Sequence, residues 1–270
     1  MESIVCFINQ KEGVGKSTTV FQIAAGLTKR RKKVLMLDID PQASLTTYLG
    51  MDCNVDKNMY TFITGKSNFE DTIVRTASGD LIPSSLELGF REIELVRHLG
   101  CEFMLSSAIG EYCKNYDYVL IDCPSSTNIF LYNALMLSTH AVLVMQANCA
   151  STKWIGEYTL ILDNVFKFFK KKVKFASVIM TRLNERYSVH KVLSEQMSAA
   201  LSERNVPVLK SKIKNSEVVF EANACHRSLL DYAPTNDVTI QYDNAVDELI
   251  AIISGDKKAL RQKVQKQKDI

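Results

Sequence analysis

One short segment near the start of the chain has the residue types and spacing of a phosphate-binding loop. In QKEGVGKST, the glycines Gly13 and Gly15 precede Lys16 and Ser17. An apolar run typical of a strand comes before the segment, and a stretch of helical periodicity follows it. Backbone N–H groups of such a loop can surround a phosphate chain, while the lysine reaches the β- and γ-phosphates and the serine hydroxyl coordinates Mg²⁺. The segment therefore predicts a site for ATP and Mg²⁺.

Acidic side chains end two other apolar runs and could serve a metal ion and a water molecule. Asp38 and Asp40 end the run in LMLDIDPQ, and Asp122 ends the run in YDYVLIDCP. A single aspartate at a strand end is more often a turn or helix-cap residue. Carboxylates two residues apart on a strand share a face, however, and ligands of open α/β sheets bind at the carboxyl ends of the strands. We therefore expect all three acids beside the phosphate-binding loop.

The elements that must position these residues follow from the hydrophobic pattern. Short apolar runs alternate with longer segments of helical periodicity, and the runs are apolar at consecutive positions, as in parallel strands covered by helices on both faces. The pattern predicts an α/β fold with a doubly wound, mostly parallel sheet. The predicted strands are Ile4 to Ile8, Val34 to Leu37, Tyr118 to Ile121, Ala141 to Val144 and Phe175 to Met180.

The rest of the chain suggests one domain followed by a short basic segment. We expect residues 1–255 to form a single domain and residues 256–270 to form a basic helix or tail. The region from Val55 to Lys114 is the least regular and reads as a helical insertion. The apolar spacing after Asn236 predicts a closing helix.

Composition excludes several classes of protein. With 46% hydrophobic and 23% charged residues among 270, the chain can bury a sizeable core, and a net charge of +3 is too small for a polycation. The seven cysteines contain no C-x-x-C pair, which argues against a zinc cluster or a disulfide framework and favours a reducing cytoplasm. No apolar run approaches the roughly 20 residues that span a bilayer, and the N-terminal pattern is not that of a signal peptide.

The phosphate-binding loop also contains a second lysine. Lys11 lies five residues before Lys16, and Gln10 occupies the position of the first glycine in the general pattern. This arrangement resembles the deviant P-loop of the ParA/MinD/NifH group, usually K-G-G-x-G-K-[ST]. The resemblance implies that Lys11 crosses a nucleotide-sandwich dimer to the partner's phosphates. Glu12 departs from the family's glycine, and its carboxylate opposes the charge of a triphosphate.

The resemblance extends to the acidic segments. The stretch DIDPQ is similar to the family's switch segment D-x-D-P-Q, which implies that Asp40 orients the attacking water and that Asp38 lies near the Mg²⁺ shell. The strand that ends in Asp122 is similar to a Walker B strand, whose acid holds Mg²⁺ through water. The next residue, Cys123, is a packed residue in this family rather than a nucleophile.

Further matches cover about residues 3 to 254. LIPSSLEL, from Leu81 to Leu88, looks like the family's strand-to-helix segment, and KIKNSEVVFEA, from Lys212 to Ala222, looks like the loop that closes over the base. The candidate catalytic residues are Lys11, Lys16 and Asp40, and the candidate metal ligands are Ser17, Asp38 and Asp122. The candidate ATP-binding residues are Lys11, Glu12, Gly13, Val14, Gly15, Lys16, Ser17, Thr18, Thr181, Arg182 and Asn215.

Among the branches of this group, the chain looks most similar to short-form ParA proteins, the Soj-like chromosome and plasmid partition ATPases. The resemblance implies a slow ATPase that forms a homodimer on Mg·ATP and binds double-stranded DNA nonspecifically. It also implies release by hydrolysis that a ParB-like centromere-binding adaptor stimulates. The expected location is the cytoplasm, in association with the nucleoid.

Basic runs offer possible DNA contacts. They comprise residues 29–33, 167–174, 210–214 and the tail from 257. A single basic run is usually a solvated helix end or loop, but a dimer would double each of them. Partition ATPases often have Y-D-P followed by basic residues, whereas this chain has DYAPTND, so Lys212, Lys214 and Arg227 are the candidate contacts instead.

Three other functions are compatible with the same loop. A MinD-like membrane-positioning ATPase would need an amphipathic C-terminal helix, and residues 256–270 have few apolar positions, so we expect no stable membrane anchor. A nucleotide-binding scaffold that does not hydrolyse ATP is suggested by Glu12. An electron carrier of the NifH type would need cysteines that bridge a metal cluster across the dimer.

Overall fold

A seven-stranded sheet forms the centre of the molecule. The computed structural model describes residues 3–146, 151–184, 188–203 and 206–255. The strands are ordered β3-β4-β2-β5-β1-β6-β7, and every neighbouring pair is parallel except β3 and β4. The strands are β1 (Ser3–Ile8), β2 (Val34–Asp38), β3 (Val74–Thr76), β4 (Gly79–Ile82), β5 (Tyr118–Asp122), β6 (His140–Gln146) and β7 (Lys174–Thr181).

Helices cover both faces of the sheet. Two long ones, α1 and α13, pack against each other on one face, and α7, α8 and α9 contribute to the core of the other face. The helices of the described residues are α1 (Lys16–Lys29), α2 (Ser44–Tyr48), α3 (Met59–Ile63), α4 (Phe69–Thr72), α5 (Leu86–Phe90), α6 (Glu92–Val96), α7 (Met104–Cys113), α8 (Ile129–Leu137), α9 (Ser151–Phe169), α10 (Ser188–Glu203), α11 (Glu217–Ala224), α12 (Leu229–Tyr232) and α13 (Asp237–Ser254), with a 3-10 turn at Cys101–Phe103.

Alternation along the strands builds two separate cores. In β1, Ile4, Cys6 and Ile8 pack into the core on one face, and Val5 and Phe7 pack into the core on the other. All five side chains are at most 5% exposed. A strand buried on both faces must be apolar at every position, which explains the continuous runs in the sequence. The expected doubly wound α/β fold is confirmed.

The five predicted strands are present, and the region from Val55 to Lys114 differs from the helical insertion that we expected. It contains short helices, but it also contributes β4, which begins just before LIPSSLEL, and the antiparallel edge strand β3. β3 has three residues and is not fully buried, so its sequence has no hydrophobic period to detect.

The closing helix is also as expected. Asn236 caps α13 by accepting a hydrogen bond from the Val238 N–H at 3.1 Å. Arg30, at the end of α1, donates to both Asp243 and Asp247 of α13 at 2.7 and 2.8 Å. The basic tail, residues 256–270, lies outside the described residues. Within the described ranges, the model contains no helix with the length and apolar character needed to cross a bilayer.

The close packing of β4 against β2 can be tested at Gly79, the first residue of β4. Gly79 has a φ of 117°, and a Cβ added there would lie 2.7 Å from the Val34 carbonyl oxygen. We expect Gly79→Ala to lower the free energy of unfolding by about 2 kcal/mol or more, measured by urea denaturation. The matched control is Gly110→Ala in α7, where a Cβ meets no atom within 4 Å and should stabilise the helix by about 0.5–1 kcal/mol. Equal unfolding curves for the two variants would contradict this account of β4.

Candidate nucleotide-binding site

The phosphate-binding loop joins β1 to α1 through left-handed glycines. Gly13 has a φ of 69° and Gly15 has a φ of 91°, which a residue with a Cβ adopts only under strain. Gly15 is the N-cap of α1 and supplies no side-chain cap to the helix. The first N–H groups of α1 therefore point toward the loop without a capping side chain, as an anion site requires.

Side chains from neighbouring strands hold the loop in shape. The Asn9 side chain donates to the Val144 carbonyl at 2.6 Å and accepts from the Lys11 N–H at 2.9 Å. The Thr181 hydroxyl donates to the Val14 carbonyl at 2.6 Å, and the Arg182 guanidinium donates to the Gly13 carbonyl at 2.6 Å. The Gly13 and Val14 carbonyls are thus turned toward the end of β7, which leaves loop N–H groups to face a phosphate.

Lys16 is buried, and its ammonium is held by the segment that follows β5. The side chain is 6% exposed, and Nζ donates to the Ser125 hydroxyl. Ser125 stands where the resembled family commonly has a second proline. Replacing that proline by serine gives the lysine a hydrogen-bond acceptor, a contact that sequence reasoning missed.

Asp122 is a fully buried carboxylate with unsatisfied oxygens. Neither Oδ1 nor Oδ2 has a hydrogen-bond partner among the described residues, by the usual distance and angle limits. Burial raises the pKa of Asp122 well above its usual range, and the negative charge of Asp38 adds to the rise, whereas the nearby Ser17 hydroxyl opposes it. An unpaired carboxylate in this position is suited to a cation.

Asp38 lies opposite Asp122 in the register of β2 and β5, but its oxygens are occupied. Oδ1 accepts from the Asp40 N–H at 3.1 Å, and Oδ2 accepts from the N–H and hydroxyl of Thr46 at 2.9 and 2.7 Å. Burial raises the pKa of Asp38 to about 7, although the Thr46 contacts oppose the rise. The carboxylate therefore organises the turn between β2 and α2.

The expectation that Asp38 and Asp40 share a strand face is wrong. β2 ends at Asp38, and the chain then turns because the Asp38 carboxylate binds the N–H of Asp40. The turn places the Asp40 side chain at the cleft, 9% exposed, with Oδ1 accepting from the Gln42 N–H at 2.9 Å. Burial raises the pKa of Asp40, and the charge of Lys16 opposes the rise.

A cleft of about 920 Å³ lies above these residues, at the carboxyl edge of the sheet. This volume is within the range of small-molecule and cofactor sites. Its lining brings the loop together with Asp40, Thr181, Arg182 and Asn215, as the sequence predicted. Residues outside the predicted set also line it, among them Tyr48, Asn128, Asn223 and Tyr242, and so does Phe220 of the segment matched to the base-closing loop.

Two of the lining residues have properties suited to a ligand. Asn223 is 8% exposed, and its Oδ1 has no hydrogen-bond partner among the residues that the model describes. Phe220 is 78% exposed at the rim. Asn223 comes directly after Ala222, the last residue of the matched motif, so the motif did not include it. Its side chain contacts Thr18 at the start of α1, a contact that only the folded chain shows.

Three of the residues chosen by resemblance are exposed at the rim of the cleft. Lys11 and Glu12 are exposed, and Lys11 Nζ donates to the Gln146 side chain at 3.3 Å. Asn215 is exposed, and its N–H donates to the Leu183 carbonyl at 2.7 Å. The roles of Lys11 across a dimer and of Thr181, Arg182 and Asn215 at the base stay predictions.

The residues present fit Mg²⁺ bound together with a nucleotide. No group of three or more His, Cys, Asp or Glu side chains able to hold a metal by itself occurs in the described parts of the chain. Mg²⁺ typically takes one or two protein ligands and completes its shell with water and phosphate oxygens. Ser17 and the unpaired Asp122 could supply the protein side of such a site, whereas Asp38 would act mainly through its charge.

The candidate DNA contacts are partly engaged within the chain. Lys214 forms an ion pair with Asp237, and Lys212 Nζ donates to the Ser194 hydroxyl at 3.0 Å. Arg227 is exposed and lies over the Tyr232 ring at 5.8 Å. The three cations therefore do not form one uncommitted surface.

Comparison with known proteins identifies the family of this chain. A family model described as an AAA domain matches residues 2–175. The chain belongs to this AAA-domain family. The AAA-domain chain is 29% identical over 254 residues to the sporulation initiation inhibitor protein Soj of Bacillus subtilis, covering 93% of this chain and 99% of that protein. The resemblance to P-loop ATPases of the ParA/MinD type, close to Soj-like proteins, is confirmed.

Solved structures share the fold. Cobyrinic acid a,c-diamide synthase from Mycobacterium smegmatis, with bound ADP and magnesium, is 25% identical with a TM-score of 0.79 and covers 93% of this AAA-domain chain and 95% of that one. A putative plasmid partition protein from Borrelia burgdorferi bound to AMPPNP is 24% identical with a TM-score of 0.77, covering 93% and 99% of the two chains.

The contact between Thr46 and Asp38 can be tested directly. The Thr46 hydroxyl donates to Asp38 and also accepts from the Ser84 N–H at 2.9 Å. We expect Thr46→Val to lower the free energy of unfolding by about 2–3 kcal/mol, because both buried partners lose a bond. Thr46→Ser keeps the hydroxyl and should change it by less than about 1 kcal/mol. Chemical denaturation measures both, and a stable Thr46→Val variant would argue against this organising role.

Proposed function

We propose that this chain is an ATP-dependent DNA partition ATPase that works with Mg²⁺. The observation that carries the proposal is the buried, unpaired Asp122 carboxylate beside the loop that begins α1. A phosphate-binding helix terminus next to an unneutralised acid calls for an anion and a cation together, as in Mg·ATP. The family membership and the similarity to Soj support nucleotide hydrolysis, and the fold shared with a putative plasmid partition protein supports partition as the biological setting.

The residues of the site have distinct tasks in hydrolysis. The N–H groups of the loop and of the first turn of α1 bind the phosphates, and Lys16 leaves Ser125 to contact them. Asp40, which lines the cleft, orients the attacking water. Bound Mg²⁺ neutralises charge on the phosphate oxygens. Ser17 and Asp122 hold that ion, while Asp38 fixes the turn that carries Asp40.

The dimeric state depends on Lys11. Its side chain lies on the exposed rim of the loop rather than in the cleft, so within one protomer it is directed to Gln146. A second protomer facing the cleft would bring its own Lys11 to this nucleotide, where a cation stabilises the charge of phosphoryl transfer. Glu12 lies beside it and makes the rim less favourable for a triphosphate.

DNA binding and release complete the proposed cycle. The ATP dimer binds double-stranded DNA nonspecifically in the cytoplasm, at the nucleoid, and an adaptor similar to ParB stimulates hydrolysis to release it. Lys212, Lys214 and Arg227 are the contacts taken from the sequence, with Lys214 having to leave Asp237. Two linked protomers bind more tightly than one because the second contact is intramolecular.

The two loop lysines should separate nucleotide binding from dimerisation. We expect Lys16→Ala to reduce ATP affinity at least tenfold, because the buried ammonium that reaches the phosphates is lost. Lys11→Ala should bind ATP normally but stay a monomer in Mg·ATP. Fluorescent nucleotide titration and light scattering measure these properties, with Lys57→Ala as a surface control. A normal ATP dimer of Lys11→Ala would refute the action of Lys11 across the interface.

Asp40 should be needed for hydrolysis rather than for binding. We expect Asp40→Ala to lower phosphate release at least a hundredfold and to retain a long-lived ATP dimer on DNA. Asp40→Asn keeps the acceptor of the Gln42 N–H and serves as the structural control. Phosphate release with and without random-sequence duplex measures the effect, and the same assay on the unaltered chain distinguishes an ATPase from a scaffold that does not hydrolyse ATP. An unchanged rate in Asp40→Ala would remove Asp40 from the mechanism.

A further inference from the structure

Two of the basic runs converge on the edge of the sheet opposite the nucleotide cleft. One contains the exposed residues Lys29, Arg31, Lys32 and Lys33, just before β2, and the other contains the exposed residues Lys170, Lys172 and Lys174, at the start of β7. The cleft lies at the carboxyl ends of the strands, whereas these residues lie at the amino ends. A strand length, roughly 16 Å or more, separates the two edges. We call this surface the amino edge.

Backbone contacts show that the two clusters lie on one continuous edge. The Asp117 N–H donates to the Lys33 carbonyl, and the Ser3 N–H donates to the Asp117 carbonyl, at 2.9 and 3.2 Å. The Thr139 N–H donates to the Ile4 carbonyl, and the Lys174 N–H donates to the Thr139 carbonyl, at 2.9 and 3.0 Å. β2 and β7 are four strand spacings apart in this sheet, which places the clusters roughly 19 Å from each other.

The neighbouring acids offset only part of this charge. Asp117 accepts from the Lys33 backbone N–H, Asp80 accepts from the Tyr116 hydroxyl, and Glu111 pairs with Lys114. Arg30 is the member of the first run that is committed to carboxylates of α13. Asp117 and Asp80 keep their negative charge, but the seven exposed cations of the two clusters outnumber them, so the surface stays basic.

We propose that the amino edge is a second binding surface for duplex DNA, present whatever the nucleotide state. A duplex carries one negative charge per about 1.7 Å of its axis, so a duplex longer than the distance between the two clusters can contact both at once. The nucleotide cleft lies at the opposite ends of the strands and does not form any part of this surface.

A membrane is the less suitable occupant. Phe166 and Phe168 are 53% and 70% exposed on the last turns of α9, and exposed aromatics beside lysines favour an anionic lipid surface. They flank only the β7 cluster, whereas the cluster before β2 runs from Lys29 to the buried Val34 without another apolar residue. Both clusters match a phosphate backbone, and only one matches a bilayer.

The position of the amino edge determines where a dimer would hold DNA. This step rests on the dimer of the proposed function. Protomers joined through their clefts would present their amino edges on opposite sides of the dimer. One dimer could then hold two separate DNA segments. A monomer would still bind one segment weakly, because the edge does not depend on the partner.

The test compares two double variants and their combination with a matched control. Lys32→Gln/Lys33→Gln and Lys172→Gln/Lys174→Gln each remove two cations from one cluster. The control Lys57→Gln/Lys66→Gln removes two exposed lysines that flank α3, whose Met59 N–H bonds to the Pro83 carbonyl beyond the carboxyl end of β4. Thermal unfolding and phosphate release show that each variant folds and retains its nucleotide site.

Fluorescence anisotropy with a random-sequence duplex is measured over a range of salt, in ADP and in ATP. Each double variant should lower the slope of log affinity against log salt by about 1.8, and the quadruple variant by about 3.6, in both nucleotide states. The control should leave the slope unchanged. If the wild-type chain binds DNA and the quadruple variant shows the same slope of log affinity against log salt, the inference is overturned. The proposed function is then left intact.

Two further outcomes discriminate the alternatives. A wild-type chain that binds no duplex in either nucleotide state overturns the proposed function together with the edge. A quadruple variant that loses binding to phosphatidylserine vesicles but keeps its DNA affinity also overturns the inference, because the edge would then be a lipid surface. Capture of two differently labelled duplexes by the Asp40→Ala protein in ATP, lost in the quadruple variant, supports the two-segment arrangement.

Discussion

The structure depends on two buried carboxyl groups that lie next to each other, beside a helix N-terminus, at the carboxyl ends of the strands. Asp38 and Asp122 are paired in register on adjacent strands and are both fully buried, which raises their pKa values. Beside them, α1 presents an N-terminus without a side-chain cap. Buried like charges are costly unless something compensates them. A bound metal–nucleotide complex supplies both the cation and the anion that this arrangement needs.

The surrounding residues keep the arrangement open to a ligand. Asn9, Thr181 and Arg182 bind the carbonyls or the turn of the loop, so its N–H groups stay directed to the cleft. Ser125 accepts a hydrogen bond from the Lys16 ammonium that would otherwise contact phosphate. Thr46 satisfies Asp38 and leaves Asp122 as the carboxylate with unmet bonding capacity. The site is therefore preorganised, and its unsatisfied groups are those that a nucleotide and Mg²⁺ can satisfy.

The parallel sheet also separates the two electrostatic tasks of the molecule. Carboxyl ends of strands gather acids and a helix N-terminus on one edge, while the ends of α1 and α9 bring lysines to the other, where cations complement the helix dipoles. Near the nucleotide site, Lys214 is instead paired with the carboxylate of Asp237. The DNA surface proposed for the far edge would act without disturbing the chemistry of the cleft.

Sequence alone was sufficient for β1, β2, β5, β6 and β7 and for the loop. β4, which lies inside the sheet, was indicated only by the resemblance of LIPSSLEL to the family's strand-to-helix segment. Strands buried on both faces are continuously apolar, and Gly13, Gly15, Lys16 and Ser17 are adjacent in the chain, so their chemistry is local. The edge strand β3 was missed because a short, partly exposed strand has no apolar period.

Tertiary structure alone decided how the acids are used. The pattern DIDPQ does not show that Thr46 and the Asp40 N–H bind the Asp38 carboxylate, or that the turn after β2 brings Asp40 to the cleft. The contacts of Ser125 with Lys16 and of Asn223 with Thr18 span 109 and 205 residues, so no local pattern indicates them. Which basic runs share a surface likewise follows from strand order, because residues 29–33 and 167–174 meet the same edge only after the sheet has formed.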